Sequence, residues 1–325
     1  MSSTAVQHPA QDVGYVDRSQ VAVIIPTYRA RAHWKNLTGA LAQQGIPNEQ
    51  VLIVDSGSTD GTDALAEKTG FRLIRIPHSE FNHGGTRQFA ARQVPWAKIV
   101  LYLTQDALPR AGAFEALLQA FDDPALGAAY GRQLPRSGAG PIEAHARHFN
   151  YPARSRVHTY ETRHEFGIKT VFFSNSFAAY RVAALEQVGG FPSDVIVAED
   201  AVVAARMLMQ GWKTAYVAEA EIYHSHTHTI AQEFRRYFDN GVHHVQERWL
   251  REHFGDPHSE GRRFVLSELR SLLPRHFYLV PNALLRTGVK YLGYQLGRNE
   301  ARLSNSWCQR FSGHTSYWTT PRKDA

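Results

Sequence analysis

Three acidic stations stand where a chain of this kind could do chemistry: Asp55 in VLIVDSGSTDGT, Asp106 in IVLYLTQDALP, and the Glu199-Asp200 pair in VIVAEDAVVAARM. The first two each close a short apolar run, the pattern of a buried parallel strand. Open α/β sheets take their ligands beyond the carboxyl ends of such strands. Three carboxylate positions converging there suit a site that handles a nucleobase, a diphosphate with its metal, and a proton. Asp55 can accept a hydrogen bond from a base N3–H or a ribose hydroxyl; it can equally cap the turn Ser56-Gly57-Ser58. The first strand-to-helix turn is Pro26-Thr27-Tyr28-Arg29. It lacks the glycines that let backbone amides reach a pyrophosphate, which argues against an NAD site.

The elements that must position these residues alternate. Val21–Ile25, Val51–Val54, Phe71–Ile76 and Ile99–Leu103 read as strands. Helical patterns lie between and after them, through Trp34, Leu37 and Leu41, over Asp60–Lys68, over 84–93 and over Phe114–Phe121. This order predicts a doubly wound, Rossmann-like α/β sheet with right-handed crossovers. Residues 135–170 are rich in Pro, Gly, His and Arg and read as a long surface excursion. Val171–Tyr180 is expected as a strand, Arg181–Val188 and Asp200–Gln210 as helices, and Thr214–Val217 and Glu221–His224 as two short late strands. From Thr229 the spacing is helical, opened by a Thr229/Gln232 capping box, with further helices over Phe264–Leu273 and Asn282–Leu296.

Composition bounds the function. The 325 residues hold one cysteine, Cys308, which rules out an internal disulfide and fits a reducing, cytoplasmic compartment. The N-terminus shows no basic-then-apolar signal pattern, and no run of 18 apolar residues is present. The net charge is +6. From Arg262 onward there are 11 Lys and Arg against 3 Asp and Glu, an excess of eight, which leaves about −2 for residues 1–261. The main body is therefore not a general nucleic-acid binder, and the basic tail calls for an anionic partner.

VAVIIPTYRA, VLIVDSGSTDGT, the strand ending Thr104-Gln105-Asp106, and GGFPSDVIVAEDAVVAARM together resemble the family 2 glycosyltransferases of GT-A fold, inverting enzymes that use nucleotide-sugars. HSEFNHGGTRQFA, LTQDALP, VFFSNSFAAYR, YHSH and KYLGYQLGRN resemble the rhamnosyltransferases of bacterial O-antigen and exopolysaccharide synthesis within it. The resemblance divides the chain into a flexible N-terminus (1–19), a nucleotide-sugar half (20–134), an acceptor half (135–228) and a helical C-terminal region (229–325). It implies a nucleoside pocket at Pro26, Thr27 and Tyr28, with Asp55 reading a pyrimidine. Asp106 matches the last acid of the family's D-x-D, which holds Mg²⁺ or Mn²⁺ on the diphosphate; Thr104 departs from that pattern, standing where the first acid would be. Asp200 matches the catalytic base, which takes the acceptor hydroxyl's proton. His224 matches a position where the family often has a metal- or diphosphate-contacting histidine. His226 and His228, at i+2 and i+4, read as acceptor-side or surface groups.

Further candidates complete the expected site. Gly84-Gly85 before a helix allows close backbone approach to an anion, with His83 beside it and Arg87 either pairing with the diphosphate or solvated. Thr104 and Gln105 flank Asp106 on the donor side. Asn175, Ser176, Glu199 and Trp212 are candidates for the acceptor, although a Trp after Gly211 is more often core. The donor implied is dTDP-L-rhamnose, with a UDP-hexose as the alternative. The acceptor is a saccharide, on a lipid carrier if the basic, aromatic C-terminal helices rest on the anionic inner membrane. Those helices also offer an interface for a second copy. A different class remains open: a nucleotide- or sugar-binding protein weakened by Thr104.

Overall fold

The computed structural model describes residues 16–256 and 258–319; the 1–19 segment expected to be flexible falls mostly outside them. Among the described residues nine strands form one sheet: β1 Val21–Thr27, β2 Val51–Asp55, β3 Arg72–Arg75, β4 Ile99–Leu103, β5 Leu108–Pro109, β6 Leu126–Leu134, β7 Arg156–His158, β8 Phe177–Arg181 and β9 Lys213–Tyr223. The order is β3-β2-β1-β4-β8-β6-β9-β5, with β7 paired to β9. β3, β2, β1 and β4 are all parallel, β8 runs against its neighbours, and β6 and β9 resume the first direction, so six of nine strands point one way. The chain lays β2 and β3 on one side of β1 and β4 on the other. That reversal opens a crevice at the carboxyl ends of β1 and β4.

β1, β2 and β4 are almost wholly buried because both faces are covered, which is why their sequences are continuous apolar runs. One face packs on the helices Arg31–Ala42 and Ala113–Gln119. The other packs on His83–Arg92, Val182–Gln187 and Glu199–Met209.

Several expected elements differ. The 135–170 excursion contains the helix Pro141–Asn150, strand β7 and the short helix Arg163–Phe166. Its polar composition hid them, since the Pro141–Asn150 helix buries only His145 fully. β6 went unread because it is LGAAYGRQL, poor in β-branched residues. Its small residues are required: a Cβ on Gly131 would lie 2.4 Å from both the Phe177 ring and the Ala220 carbonyl oxygen. The strand expected over Val171–Tyr180 begins only at Phe177, after a 3₁₀ turn over Gly167–Val171. The two late strands are one, β9, whose pairing with β6 jumps from Val217 to Glu221 between Gly131 and Arg132.

The C-terminal helices include Ile230–Gln246, which has the expected Thr229/Gln232 capping box, then His258–Leu272 and Val280–Arg298. Ile230–Gln246 and Val280–Arg298 meet backbone to backbone. A Cβ on Gly297 would stand 2.0 Å from the Phe238 carbonyl oxygen, and one on Gly293 2.5 Å from that of Phe234. No helix among the described residues is long and apolar enough to cross a membrane.

Candidate functional site

At the end of β1, Thr27 lies opposite Asp55 of β2, and its hydroxyl donates to Asp55 Oδ2 at 3.0 Å. The Ser58 amide donates to Asp55 Oδ1 at 2.8 Å, and the Ser58 hydroxyl to Oδ2. Of the two open readings of Asp55, the turn-capping one therefore describes its present bonds, and the side chain is 2% exposed. Gln105 bridges the ends of β1 and β4: its carbonyl accepts from the Tyr28 amide at 2.8 Å, and its NH₂ donates to the Tyr28 carbonyl at 3.1 Å. Gln105, expected as a donor contact, braces the crevice wall through these two bonds. The Tyr28 ring stacks on His78 with centroids 4.3 Å apart.

Asp106 follows β4 and sits beside two imidazoles and a guanidinium. His224 Nε2 is 3.4 Å from Oδ1, His226 Nε2 is 3.3 Å from Oδ2, and Arg136 Nη2 is 3.2 Å from Oδ2. Arg136 also donates to the Asp106 carbonyl. Burial opposes the carboxylate's charge. The His224 hydrogen bond and the charges of His224, His226 and Arg136 outweigh it and hold the Asp106 pKa well below the usual range. Asp106, His224 and His226 form a cluster of metal-ligating type. The Thr104 hydroxyl, two residues before Asp106 in the chain, is buried with no hydrogen-bond partner. One carboxylate and two imidazoles fit a divalent ion with its waters and phosphate oxygens. His226 had been placed outside the metal site and Arg136 overlooked. His226 follows the end of β9 at Tyr223, where the chain bends it back toward Asp106. Arg136 follows β6, the strand the sequence hid.

The second carboxylate centre is the start of the helix Glu199–Met209. Ala198, its N-cap, holds φ 60°, ψ 37°, a left-handed conformation that a non-glycine residue rarely adopts. Asp200 Oδ2 accepts from the Asn175 amide at 3.0 Å and Oδ1 from the Ala201 amide at 2.8 Å. Burial and the adjacent charge of Glu199 raise the Asp200 pKa to about 7, against the pull of those amides and Arg87. Glu199 is a different case. Arg87 Nη1 donates to it at 2.9 Å and Asn175 Nδ2 at 3.0 Å. Burial raises the Glu199 pKa, but Arg87, His83 and Asn175 together hold it below its ordinary value. Two neighbouring carboxylates thus have their pKa values pushed apart, the arrangement of an acid–base centre.

Several of the expected site residues also make bonds within the protein. Arg87, 7% exposed, is committed to Glu199 and to the His83 carbonyl rather than to an anion. Glu199 and Asn175 face inward; Asn175 Oδ1 accepts from the Tyr180 hydroxyl at 2.6 Å. The Asn175 backbone amide also bonds Asp200 Oδ2. Gly84 serves protein packing, since a Cβ there would fall 1.8 Å from the Pro192 carbonyl oxygen. The Gly85 amide is capped by Asn82 Oδ1 at 2.7 Å. His83 stands edge-on to Phe81 and His314, and burial with the Arg87 charge lowers its pKa to about 4. Ser176 bonds the Thr104 amide through its carbonyl at 3.1 Å and so ties β8 to the end of β4. Trp212 is not brought to the site: it lies in the core, its indole N–H on Gln187 at 2.9 Å. It stands beyond the far end of the helix that Asp200 begins, about 16 Å along the axis by helix rise.

A mixed sheet with a crevice at its topological switch point, a carboxylate–imidazole cluster and a raised-pKa carboxylate suit an enzyme that transfers a group from a bound donor. A profile of glycosyl transferase family 2 matches residues 22–189, and the chain belongs to that family and is a glycosyltransferase. It is 44% identical over 301 residues to the O-antigen chain rhamnosyltransferase RfbN of Salmonella typhimurium, covering 92% of this chain and 96% of the relative. It is 45% identical to the O-antigen chain rhamnosyltransferase WbaN of Salmonella anatum, covering 91% and 95%. Among solved structures, its fold is similar to the mannosyltransferase PcManGT of Pyrobaculum calidifontis in complex with GDP-Man and Mn²⁺. The TM-score is 0.54 and the identity 20%, over 92% of this chain and 84% of that one.

Proposed function

We propose that this chain is an inverting rhamnosyltransferase that moves L-rhamnose from dTDP-L-rhamnose to a saccharide acceptor in surface-polysaccharide synthesis. The observation that carries the reading is the similarity to two O-antigen chain rhamnosyltransferases over more than nine-tenths of the chain. The geometry supports it. Asp200, with its pKa near 7, takes the proton from the acceptor hydroxyl as that oxygen attacks the anomeric carbon. Glu199, Arg87 and Asn175 fix its position and charge. Arg136, at the mouth of the crevice, meets the charge that develops on the departing diphosphate. Asp106, His224 and His226 would hold a divalent cation, which would screen that same charge. Pro26, Thr27, Tyr28 and Asp55 form the nucleoside wall. Residues 20–134 serve the donor and 135–228 the acceptor.

Thermal-shift and calorimetric titrations with dTDP, UDP, GDP and NAD, with and without Mn²⁺, test the donor. Binding of dTDP that strengthens with Mn²⁺ and is lost in Asp106→Ala is expected. Tighter binding of UDP would move the reading to a UDP-hexose transferase, and no pyrimidine diphosphate binding would remove it.

We also propose cytoplasmic location with peripheral contact at the inner membrane, where a lipid-linked acceptor would be held. Leu273, Phe277, Tyr278, Leu284, Leu285, Tyr291 and Leu292 are exposed on the C-terminal helices, with Arg270 and Arg275 near the first of them. Apolar side chains edged by arginine suit an anionic bilayer. Pelleting with phosphatidylglycerol vesicles is expected, and is expected to fail in Phe277→Ser/Leu284→Ser/Leu285→Ser. A stable dimer with no vesicle binding would assign the face to a second copy instead.

A further inference from the structure

Asp106 lacks the acidic companion that the family's D-x-D would provide at Thr104, and the structure shows what stands in its place. His226 Nε2 lies 3.0 Å from His224 Nε2 and 3.3 Å from Asp106 Oδ2, while His224 Nε2 lies 3.4 Å from Asp106 Oδ1. An ion bound at about 2.1 Å spaces its neighbouring donors about 3.0 Å apart in an octahedron and about 3.4 Å in a tetrahedron. The two imidazole nitrogens sit at that spacing from each other, and each sits at it from one oxygen of the Asp106 carboxylate.

The hydrogen bonds behind them set the proton positions. Gln133 receives Arg147 Nη1 on Oε1, so that atom is the oxygen, and its NH₂ donates to Ser174 Oγ at 2.8 Å. His224 Nδ1, 3.0 Å from the same Oε1, must therefore carry a hydrogen. His224 Nε2 is then the ring nitrogen that faces the cluster. A ligating histidine is held in this way, by an outer carbonyl on its other ring nitrogen.

We propose that His226 replaces the missing carboxylate as the third protein ligand, and that the resulting pair of imidazoles with one carboxylate selects an ion of the Mn²⁺ or Co²⁺ type over Mg²⁺. Mg²⁺ is bound through oxygen and sheds water reluctantly, whereas transition ions accept imidazole nitrogen. The inference rests on the transferase reading for its purpose, but metal binding is measured without donor or acceptor, so either can fail alone.

The test uses the full chain stripped of metal by chelation. Free Mn²⁺ is followed by electron paramagnetic resonance during titration, Mg²⁺ by competition, and Co²⁺ by its visible ligand-field bands. The wild type is expected to prefer Mn²⁺ to Mg²⁺ by at least about tenfold, and His226→Ala to weaken Mn²⁺ by about tenfold or more and alter the Co²⁺ bands. His226→Gln keeps a hydrogen-bonding side chain on Asp106 but no imidazole, and is expected to behave as His226→Ala does. Adding Thr104→Asp to His226→Ala is expected to recover binding with the preference shifted toward Mg²⁺. Folding of each variant is checked by circular dichroism. Folded His226 variants with wild-type Mn²⁺ affinity and unchanged Co²⁺ bands would overturn the proposal, as would a wild type that binds Mg²⁺ and Mn²⁺ equally.

Discussion

Replacing Asp200 with asparagine separates what the residue does for catalysis from what it does to the fold. Burial and Glu199 lift its pKa from 3.8 to about 7. About three pH units correspond to roughly 4 kcal/mol against the charged form, trimmed to about 3 because the carboxylate keeps some contact with solvent. The sign follows from linkage. Between pH 3.8 and 7 the folded chain holds a proton that the unfolded chain has lost, so this group's contribution to stability falls as pH rises through that window. Asparagine carries no charge and escapes that penalty. It loses one acceptor, because two amides (Asn175 and Ala201) bond the two carboxylate oxygens and an amide side chain has a single oxygen. Leaving one of them unmet costs about 1–3 kcal/mol at any pH. By pH 5 the wild type has already lost about 1–1.5 kcal/mol of that contribution, so Asp200→Asn is expected to be about as stable as the wild type there. It gains about 2–3 kcal/mol relative to it by pH 8, while transfer falls by about 10²–10⁴. Urea denaturation of both proteins at pH 5 and pH 8 gives the difference. A stability difference that does not change with pH would refute the reasoning, because it would mean that Asp200 is not held in its neutral form.

The same network gives two further expectations. Arg87→Met leaves Glu199 buried and unpaired, so stability is expected to drop by about 3–5 kcal/mol. Because Arg87 also lowers the Asp200 pKa, the acid limb of kcat/KM, near pH 7 in the wild type, is expected to move to higher pH in any folded fraction; a limb that stays in place would detach Arg87 from the base. Gly84→Ala drives a Cβ against the Pro192 carbonyl and is expected to lower both stability and kcat. Unchanged activity would show that the 191–198 loop does not set the base.

The donor side of this molecule was legible because parallel strands buried on both faces write themselves as apolar runs, and the acids that follow them fall in the crevice. Asp55, Asp106 and Asp200 could be placed from that pattern together with the family's motifs. What the pattern missed has physical causes. β6 is built of small residues because Phe177 and the Ala220 carbonyl leave Gly131 no room, so it carries no strand signature and Arg136 after it went unnoticed. Arg87, Glu199 and Asn175 are of the residue types that bind anions and sugars. Only their burial, and the pairing of residues 112 positions apart in Arg87 and Glu199, shows that they serve one another. His226 lies past the end of a strand, where alternation no longer says which way a side chain turns. Trp212 stands at the far end of the helix that Asp200 starts, a separation that a sequence does not display.

The central claim is that Asp200 deprotonates an acceptor beside a donor held at Asp106. Release of dTDP from dTDP-L-rhamnose in the presence of Mn²⁺ and a saccharide acceptor, followed for the wild type, Asp106→Ala and Asp200→Asn, tests it directly. The account predicts acceptor-dependent release by the wild type alone, with both variants slower by at least about 10². Acceptor-dependent release by Asp200→Asn at the wild-type rate would contradict it.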